Sequence, residues 1–122
     1  IQLRAKMVFE ASRTEGIAIS VAPEGLKDMM ALAAQSADML ISNEDIEAAF
    51  VLYSLNDGGI GVSARYKGKV NVQVVMEALG GGGHRTVAGA QLQGMTVEEA
   101  KQAILERALE ALHSAEQEEE QQ

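Results

Sequence analysis

Residues 46–66, "IEAAFVLYSLNDGGIGVSARY", predict the β-hairpin around which the rest of the chain is arranged. The apolar run 46–55 is typical of a buried strand. It is followed by "NDGG" at 56–59, whose residues tolerate positive φ and therefore favour a tight turn. The segment 60–66 is then the returning strand of the hairpin.

The returning strand has two chemically different faces, because successive side chains of a strand point to opposite sides of the sheet. One face is apolar and consists of Ile60, Val62 and Ala64. The other face consists of Gly61, Ser63 and Arg65. Taken alone, Arg65 is equally well explained as a surface charge at the edge of a sheet.

Further elements extend the hairpin in both directions along the chain. Apolar spacing and turn residues predict helices at 3–12, 23–40 and from Thr96 onward, and strands at 16–22 and 87–94. Thr96 with Glu99 forms a capping box at the start of the last helix. The first helix has the character of a linker from a preceding domain.

The run "VNVQVVMEAL" at 70–79 has strand propensity, yet its apolar residues also fit a helix. We assign it to a helix because Asn71 is a suitable N-cap and because glycine follows the run. The element order then predicts an α+β fold, with a small mixed sheet of about four to five strands flanked by helices. The corresponding domain limits are 1–15 for the linker helix, 16–113 for the domain and 114–122 for an acidic tail.

Four glycines occupy positions 80–83, between two apolar stretches, and His84, Arg85 and Thr86 follow them. Glycine loses more backbone entropy on folding than any other residue, so such a run indicates a need for bare backbone. Glycines let backbone N–H groups converge on an anion, and they let a flat base approach the main chain. A ligand of either kind explains the run. The alternative interpretation is a flexible loop or the end of a helix.

The side chains beside the glycines suit a phosphate. His84 supplies a donor, and Arg85 supplies a guanidinium fork or else points to solvent. Thr86 adds a hydroxyl. If the hairpin strand lies beside the glycine run, Arg65 and His84 are able to hold one phosphate, with Ser63 on the same side of the sheet as Arg65.

Charge and composition narrow the classes of partner. The formal net charge of −8 argues against extended binding to duplex nucleic acid. The charge is uneven, because "EQEEEQQ" at 116–122 is an acidic tail, expected to be frayed or disordered, and 64–85 is locally basic. The sequence has no cysteine and no histidine and aspartate cluster with the spacing of metal ligands. It also shows no recognisable Ser–His–Asp arrangement. We therefore assign no catalytic and no metal-binding residue.

The segment "GGGGHRTVAG" at 80–89 resembles the glycine and histidine signature of the DHH-associated domain, the C-terminal domain of DHH-family phosphoesterases. The resemblance runs from about Arg4 to Leu112. Within that family, "VSARYKGKVNVQVVMEALGGGGH" at 62–84 is similar to membrane-anchored cyclic di-AMP phosphodiesterases. Val87 is a departure, because the common signature has alanine there, and it leaves a preference for short oligonucleotides open.

The resemblance implies a division of labour. In the family, a preceding DHH domain binds two divalent metals, usually manganese, that activate water, whereas the associated domain closes over the metals and holds the substrate. The parent protein is then a phosphodiesterase, with this chain inactive by itself and needing the DHH domain of the same chain as its partner. The implied location is cytoplasmic, in a parent anchored in the bacterial plasma membrane.

For this sequence, the resemblance implies contacts with the phosphate and nucleoside of a cyclic dinucleotide or its linear product. They would be made by Gly80, Gly81, Gly82, Gly83 and His84, with Arg65 on phosphate and Asn71 close to the ligand. The alternative is a module that binds short single-stranded nucleic acid, as in exonucleases and oligoribonucleases of the family. A homodimer, formed through the last helix or an open sheet edge, is compatible with either.

Overall fold

The computed structural model of the protein describes residues 3–80, 82–86 and 89–121, and within these it describes the side chains of all but 82–86, 89 and 90. Ten elements follow one another along the chain: α1 Leu3–Glu10, β1 Ser12–Thr14, β2 Ile17–Val21, α2 Met29–Ile41, β3 Ala48–Ser54, β4 Ile60–Tyr66, α3 Val72–Ala78, β5 Gly82–Thr86, β6 Gly89–Leu92 and α4 Val97–Glu120.

The strands form one sheet in the order β1-β2-β3-β4-β6-β5. The sheet is mixed, because β2 and β3 are parallel whereas the other neighbouring strands are antiparallel. The predicted α+β class is therefore confirmed. The sheet has six strands in the described residues, because the short strands β1 and β5 extend it at its two edges.

Helices cover both faces of the sheet, and the alternation of β3 separates two apolar clusters. Its residues Ala48, Phe50 and Leu52 belong to the cluster formed with α3 and α4. Ala49, Val51 and Tyr53 point the other way and belong to the cluster formed with α1 and α2. We call these the α3/α4 face and the α1/α2 face.

The predicted β3–β4 hairpin is confirmed, and its turn is stabilised as the residue types suggest. Gly58 has a φ of +91°. The Leu55 amide donates to the Gly59 carbonyl at 2.8 Å, and the Gly59 amide donates to the Asp57 carboxylate at 3.0 Å.

The helical assignment of 70–79 is also confirmed. The Asn71 side chain accepts a hydrogen bond from the Gln73 amide at 2.9 Å, so it is the N-cap of α3. Gly80 follows the helix with a φ of +75°, a conformation that glycine adopts without strain.

The long helix α4 begins as predicted. Thr96 accepts from the Glu99 amide at 3.1 Å, and the Glu99 carboxylate accepts from the Thr96 amide at 2.9 Å. The bond from the Thr96 amide to the Glu99 carboxylate is the larger cause that lowers the pKa of Glu99, and a hydrogen bond from the Thr96 side chain is the smaller one.

Three boundaries differ from the sequence analysis. The helix expected at 23–40 begins at Met29, because Gly25 and Asp28 have positive φ, which no right-handed helix contains. The strand expected at 87–94 ends at Leu92, and its predicted start at Val87 lies outside the described residues. Helix α4 runs to Glu120, so the acidic segment expected to be frayed or disordered is helical as far as that residue.

The strand β1 was not predicted. It forms a two-residue hairpin with β2 through Glu15 and Gly16, which have φ of +49° and +86°. Positive φ at both positions is the geometry of the turn that best matches strand twist. Glutamate rarely adopts that φ, so the residue types gave only a weak signal.

Within the described residues, none of the helices combines the length and the apolar character needed to cross a bilayer.

Candidate functional site

The glycine-rich strand lies at one edge of the sheet, separated from β4 by a single strand. Residue Gly61 of β4 pairs with Gln91 of β6, and Gln91 pairs in turn with Gly82 of β5. The phosphate hypothesis asks for the hairpin strand beside the glycine run, whereas in the sheet β6 lies between β4 and β5. The pairing of β5 with β6 is irregular between Gly82 and Thr86.

The register also shows how β5 and β6 lie along β4. Along β6, the partners of Leu92 and Ala90 are Ile60 and Val62, so the chain from Leu92 toward Gly89 runs along β4 toward its carboxyl end. Thr86 of β5 pairs with Gly89. Thr86 and Gly89 therefore lie toward the end of β4 that carries Ser63 and Arg65, whereas Gly82 lies level with Gly61, nearer the amino end of β4.

Arg65 contacts a carboxylate on α2. Its Nε atom donates to Asp38 Oδ1 at 2.6 Å, and its Nη1 atom donates to the Ala64 carbonyl at 3.0 Å. The Arg65 side chain is 20% exposed, whereas that of Asp38 is 62% exposed. The guanidinium is thus held at the surface between β4 and α2, on the α1/α2 face.

Ser63 lies on the same face of β4 and is buried, with 2% of its surface exposed. Gly61, two residues earlier, is covered by the ring of Tyr53, and a Cβ atom at this position would overlap that ring. Burial raises the pKa of Tyr53. This part of β4 therefore lies under side chains of its own domain, and of its three polar-face residues Arg65 is the most exposed.

The basic strip of the sequence is largely occupied by contacts within the domain. Lys67 Nζ donates to the carbonyls of Ile41 at 3.3 Å and Asn43 at 2.8 Å, where a cation is favourable at the carboxyl end of α2. Lys69 Nζ lies 3.5 Å from Glu119 Oε2 of α4. These lysines join helices to the β4–α3 segment.

The remaining predicted site residues divide into three groups. Asn71 caps α3, and Gly80 follows that helix, so each has a structural role. Gly82, Gly83, His84, Arg85 and Thr86 form β5, and only their backbone is described. Gly81 lies outside the described residues.

The sequence analysis missed Asp38. It lies 27 residues before Arg65, on a helix whose apolar spacing drew attention to the core and away from its acidic residue. The only indication in the sequence was that Asp38 is the single carboxylate within this apolar helix.

In the described part of the chain, histidine, aspartate and glutamate side chains form no group of three or more that suits a metal ion. The donors described here do not fit a site for two divalent metals. No chemical step on this chain is therefore derived through a metal.

The comparisons with known proteins decide the family. A sequence model of the DHHA1 domain matches residues 16–114. The chain belongs to the DHHA1 domain family. The recognition made from the glycine and histidine signature is therefore confirmed.

Two relatives carry the name of one activity. The DHHA1 chain described here is 48% identical over 104 residues to the cyclic-di-AMP phosphodiesterase GdpP of Geobacillus thermodenitrificans, covering 84% of this chain and 16% of the relative. It is 43% identical over 91 residues to the cyclic-di-AMP phosphodiesterase PdeA of Listeria monocytogenes, covering 75% and 14%. The chain thus spans about one sixth of the length of these relatives.

A solved structure supports the fold. An exopolyphosphatase-related protein from Bacteroides fragilis superposes with a TM-score of 0.72 at 14% identity, over 93% of this DHHA1 chain and 35% of its own. At that identity the likeness concerns the fold alone.

Proposed function

We propose that this DHHA1 domain is the substrate-binding part of a DHH-family phosphodiesterase. It would hold the phosphate and nucleoside of a cyclic dinucleotide, cyclic di-AMP, or of its linear product, against the strand β5. The observation that carries the proposal is the order and register of β4, β6 and β5, which place β5 one strand away from β4, with Thr86 toward the end of β4 that carries Arg65.

Two physical arguments support this assignment. Glycines in an edge strand leave the backbone N–H groups accessible to an anion and allow a base to approach closely. Arg65 is charged and partly exposed, and a guanidinium recognises phosphate oxygens in pairs. The names of the relatives supply the nucleotide class, since both are cyclic-di-AMP phosphodiesterases.

An amide NMR titration with linear di-adenylate tests the proposal. We expect saturable shifts at residues 80–86 and at Arg65, and their loss in His84→Ala. The matched control is His113→Ala, which removes the second histidine of the chain, located on α4. Equal behaviour of the two variants, or no shifts at millimolar ligand, would contradict the proposal.

A second candidate is a module that binds short single-stranded nucleic acid. It is favoured by a similarity of 42% identity over 57 residues to the bifunctional oligoribonuclease and PAP phosphatase NrnA of Thermus thermophilus. Occupation of Lys67 and Lys69 by contacts within the domain weakens it, because such binding needs accessible cations. Affinity that increases with strand length and falls steeply with salt would favour this candidate.

The parent protein belongs to the same proposal. We propose that a DHH domain in the same chain holds two divalent metals, manganese in particular. The DHHA1 domain would close over these metals, on the cytoplasmic side of a membrane-anchored protein. The metals would supply activated water, whereas the DHHA1 domain would bind and orient the substrate. Pairing of two chains through α4 or a sheet edge is a further proposal, which light scattering tests.

A further inference from the structure

We propose that Asp38 is a positioning residue, which holds the guanidinium of Arg65 so that its outer edge faces a phosphate group. The inference rests on the proposed nucleotide site and adds to it a residue on α2, an element to which that site assigns no role. It starts from the 2.6 Å contact between Asp38 Oδ1 and Arg65 Nε.

The contacts of Arg65 with other described residues fix the plane of its guanidinium and involve only part of its donors. Asp38 accepts from Nε, and the Ala64 carbonyl accepts from Nη1, so two of the five N–H donors have described partners. The Nη2 group and the outward N–H of Nη1 form the end edge of the guanidinium. That edge has the geometry for a bidentate contact with two phosphate oxygens.

The contact is poorly explained by stability alone. Asp38 is 62% exposed, and exposed ion pairs contribute only about 0–1 kcal/mol to folding. An arginine, however, has many rotamers, and ordering it when a ligand binds opposes affinity. A carboxylate that orders Arg65 before the ligand arrives removes part of that opposition.

The placement of α2 fits this role. Ala33 and Ala37 of α2 are fully buried against the sheet, and their small side chains allow the helix to lie close to β4. Asp38, next to Ala37, is therefore brought to the flank of the helix at the level of Arg65. Lys67, two residues beyond Arg65, binds the carboxyl end of the same helix and fixes the distance between the two elements.

A carboxylate beside the arginine also repels phosphate. Experiments therefore have to distinguish a carboxylate that holds Arg65 in position (holding) from one that neutralises Arg65 and weakens phosphate binding (masking). Asp38→Asn keeps an acceptor for Nε but removes the charge, whereas Asp38→Ala removes both. Glu118→Ala is the matched control for charge, since Glu118 is exposed on α4, across the sheet from α2. Affinity for linear di-adenylate is measured for all three variants and for the unchanged chain.

If Asp38 positions Arg65, Asp38→Ala weakens binding about 2- to 10-fold, the range expected for one newly mobile side chain. Asp38→Asn then binds at least as well as the unchanged chain. The loss also disappears in the Arg65→Ala background, because Asp38 acts only through Arg65. Tighter binding by both Asp38 variants would show masking and overturn the inference, as would equal behaviour of Asp38→Ala and Glu118→Ala.

A readout without ligand separates this inference from the proposed function. The Arg65 Nε–H signal in a nitrogen-proton NMR spectrum should persist in the unchanged chain and in Asp38→Asn, and broaden by solvent exchange in Asp38→Ala. An unchanged signal in Asp38→Ala would overturn the holding contact itself. A persistent signal together with no nucleotide binding by the unchanged chain would instead overturn the proposed function, and with it the role toward phosphate.

Discussion

The two faces of the sheet are built from different kinds of side chain. The α3/α4 face is filled by large residues, among which Phe50, Leu52 and Ile104 are fully buried. The α1/α2 face has a larger share of alanine, including the fully buried Ala18, Ala33, Ala37 and Ala49, beside larger side chains such as Leu40 and Ile46. Large apolar side chains contribute most of the burial energy, whereas small ones allow a helix to approach closely.

The polar residues of β4 follow the same division. Ser63 and Arg65 lie on the face of small residues, where α2 comes near enough for Asp38 to reach Arg65. The α3/α4 face therefore mainly stabilises the domain. The α1/α2 face has more small side chains, which let α2 lie close to the sheet and let Asp38 hold the guanidinium of Arg65.

Phe50→Ala should lower the free energy of unfolding by about 3–5 kcal/mol, because it opens a cavity in the face of large residues. The matched control is Phe9→Ala, the same substitution on α1 at a side chain that is 85% exposed. Chemical denaturation measures both. A similar loss for the two variants would contradict the assignment of the main core to the α3/α4 face.

Gly61→Ala should destabilise the domain by about 1–3 kcal/mol, because its Cβ overlaps the ring of Tyr53 on the face of small residues. Gly59→Ala is the control, since its Cβ would meet the end of the flexible Gln93 side chain, which can move away. Thermal unfolding of both variants measures the difference. Equal midpoints would mean that the α1/α2 face tolerates added volume and is not closely packed at Tyr53.

Thr96→Ala should cost about 1 kcal/mol, because it removes the cap of the helix that covers the face of large residues. Ser114→Ala removes a hydroxyl from the exposed side of the same helix and should be neutral or slightly stabilising, since alanine has the highest helix propensity. Urea denaturation compares them. A neutral Thr96→Ala would show that packing alone fixes the start of α4.

The smallest effect concerns His113 of α4, whose Nε2 lies 2.9 Å from Glu15 Oε1 in the β1–β2 turn. The hydrogen bond with Glu15 raises the pKa of His113. The pair therefore stabilises the fold fully below the pKa of histidine in the unfolded chain, and that contribution is lost as pH rises through the raised value.

Glu15→Gln should accordingly lower the pKa of His113 toward its ordinary value, as followed by NMR titration of the imidazole. Glu116→Gln is the control and should lower it less, because Glu116 acts only by charge, the smallest of the causes. A larger shift from Glu116→Gln would show that the link between the turn and α4 is not a direct contact.

Much of the fold could be predicted from local sequence. The β3–β4 hairpin, the capped helix α3 and the start of α4 each depend on residues close together in the chain, such as Asp57, Asn71 and Thr96. Local hydrogen bonds of this kind act whatever the rest of the fold does. The predicted start of α2 was wrong. The apolar pattern extends to residues before Met29, but the left-handed backbone at Asp28 excludes a right-handed helix there.

The residue types of the candidate site remain a prediction from the sequence, and the geometry around Arg65 could not be predicted from it. A run of four glycines before His84 indicates a need for bare backbone, and the comparison of residues 62–84 with a known family was confirmed by the match to the DHHA1 domain. Nothing in the sequence near Arg65 pointed to its partner. Asp38 comes from a different element, and only the packing of α2 brings it within hydrogen-bond distance.

Local sequence predicted most of the helices and strands, the β3–β4 turn and the family, because these depend on propensities and motifs within short segments of chain. Three features could be seen only in the folded domain: the pairing of β6 with β4, the register of β5 along β6, and the contact of Asp38 with Arg65. These features join residues far apart in the chain, and they form only when the burial of two apolar faces brings the elements together.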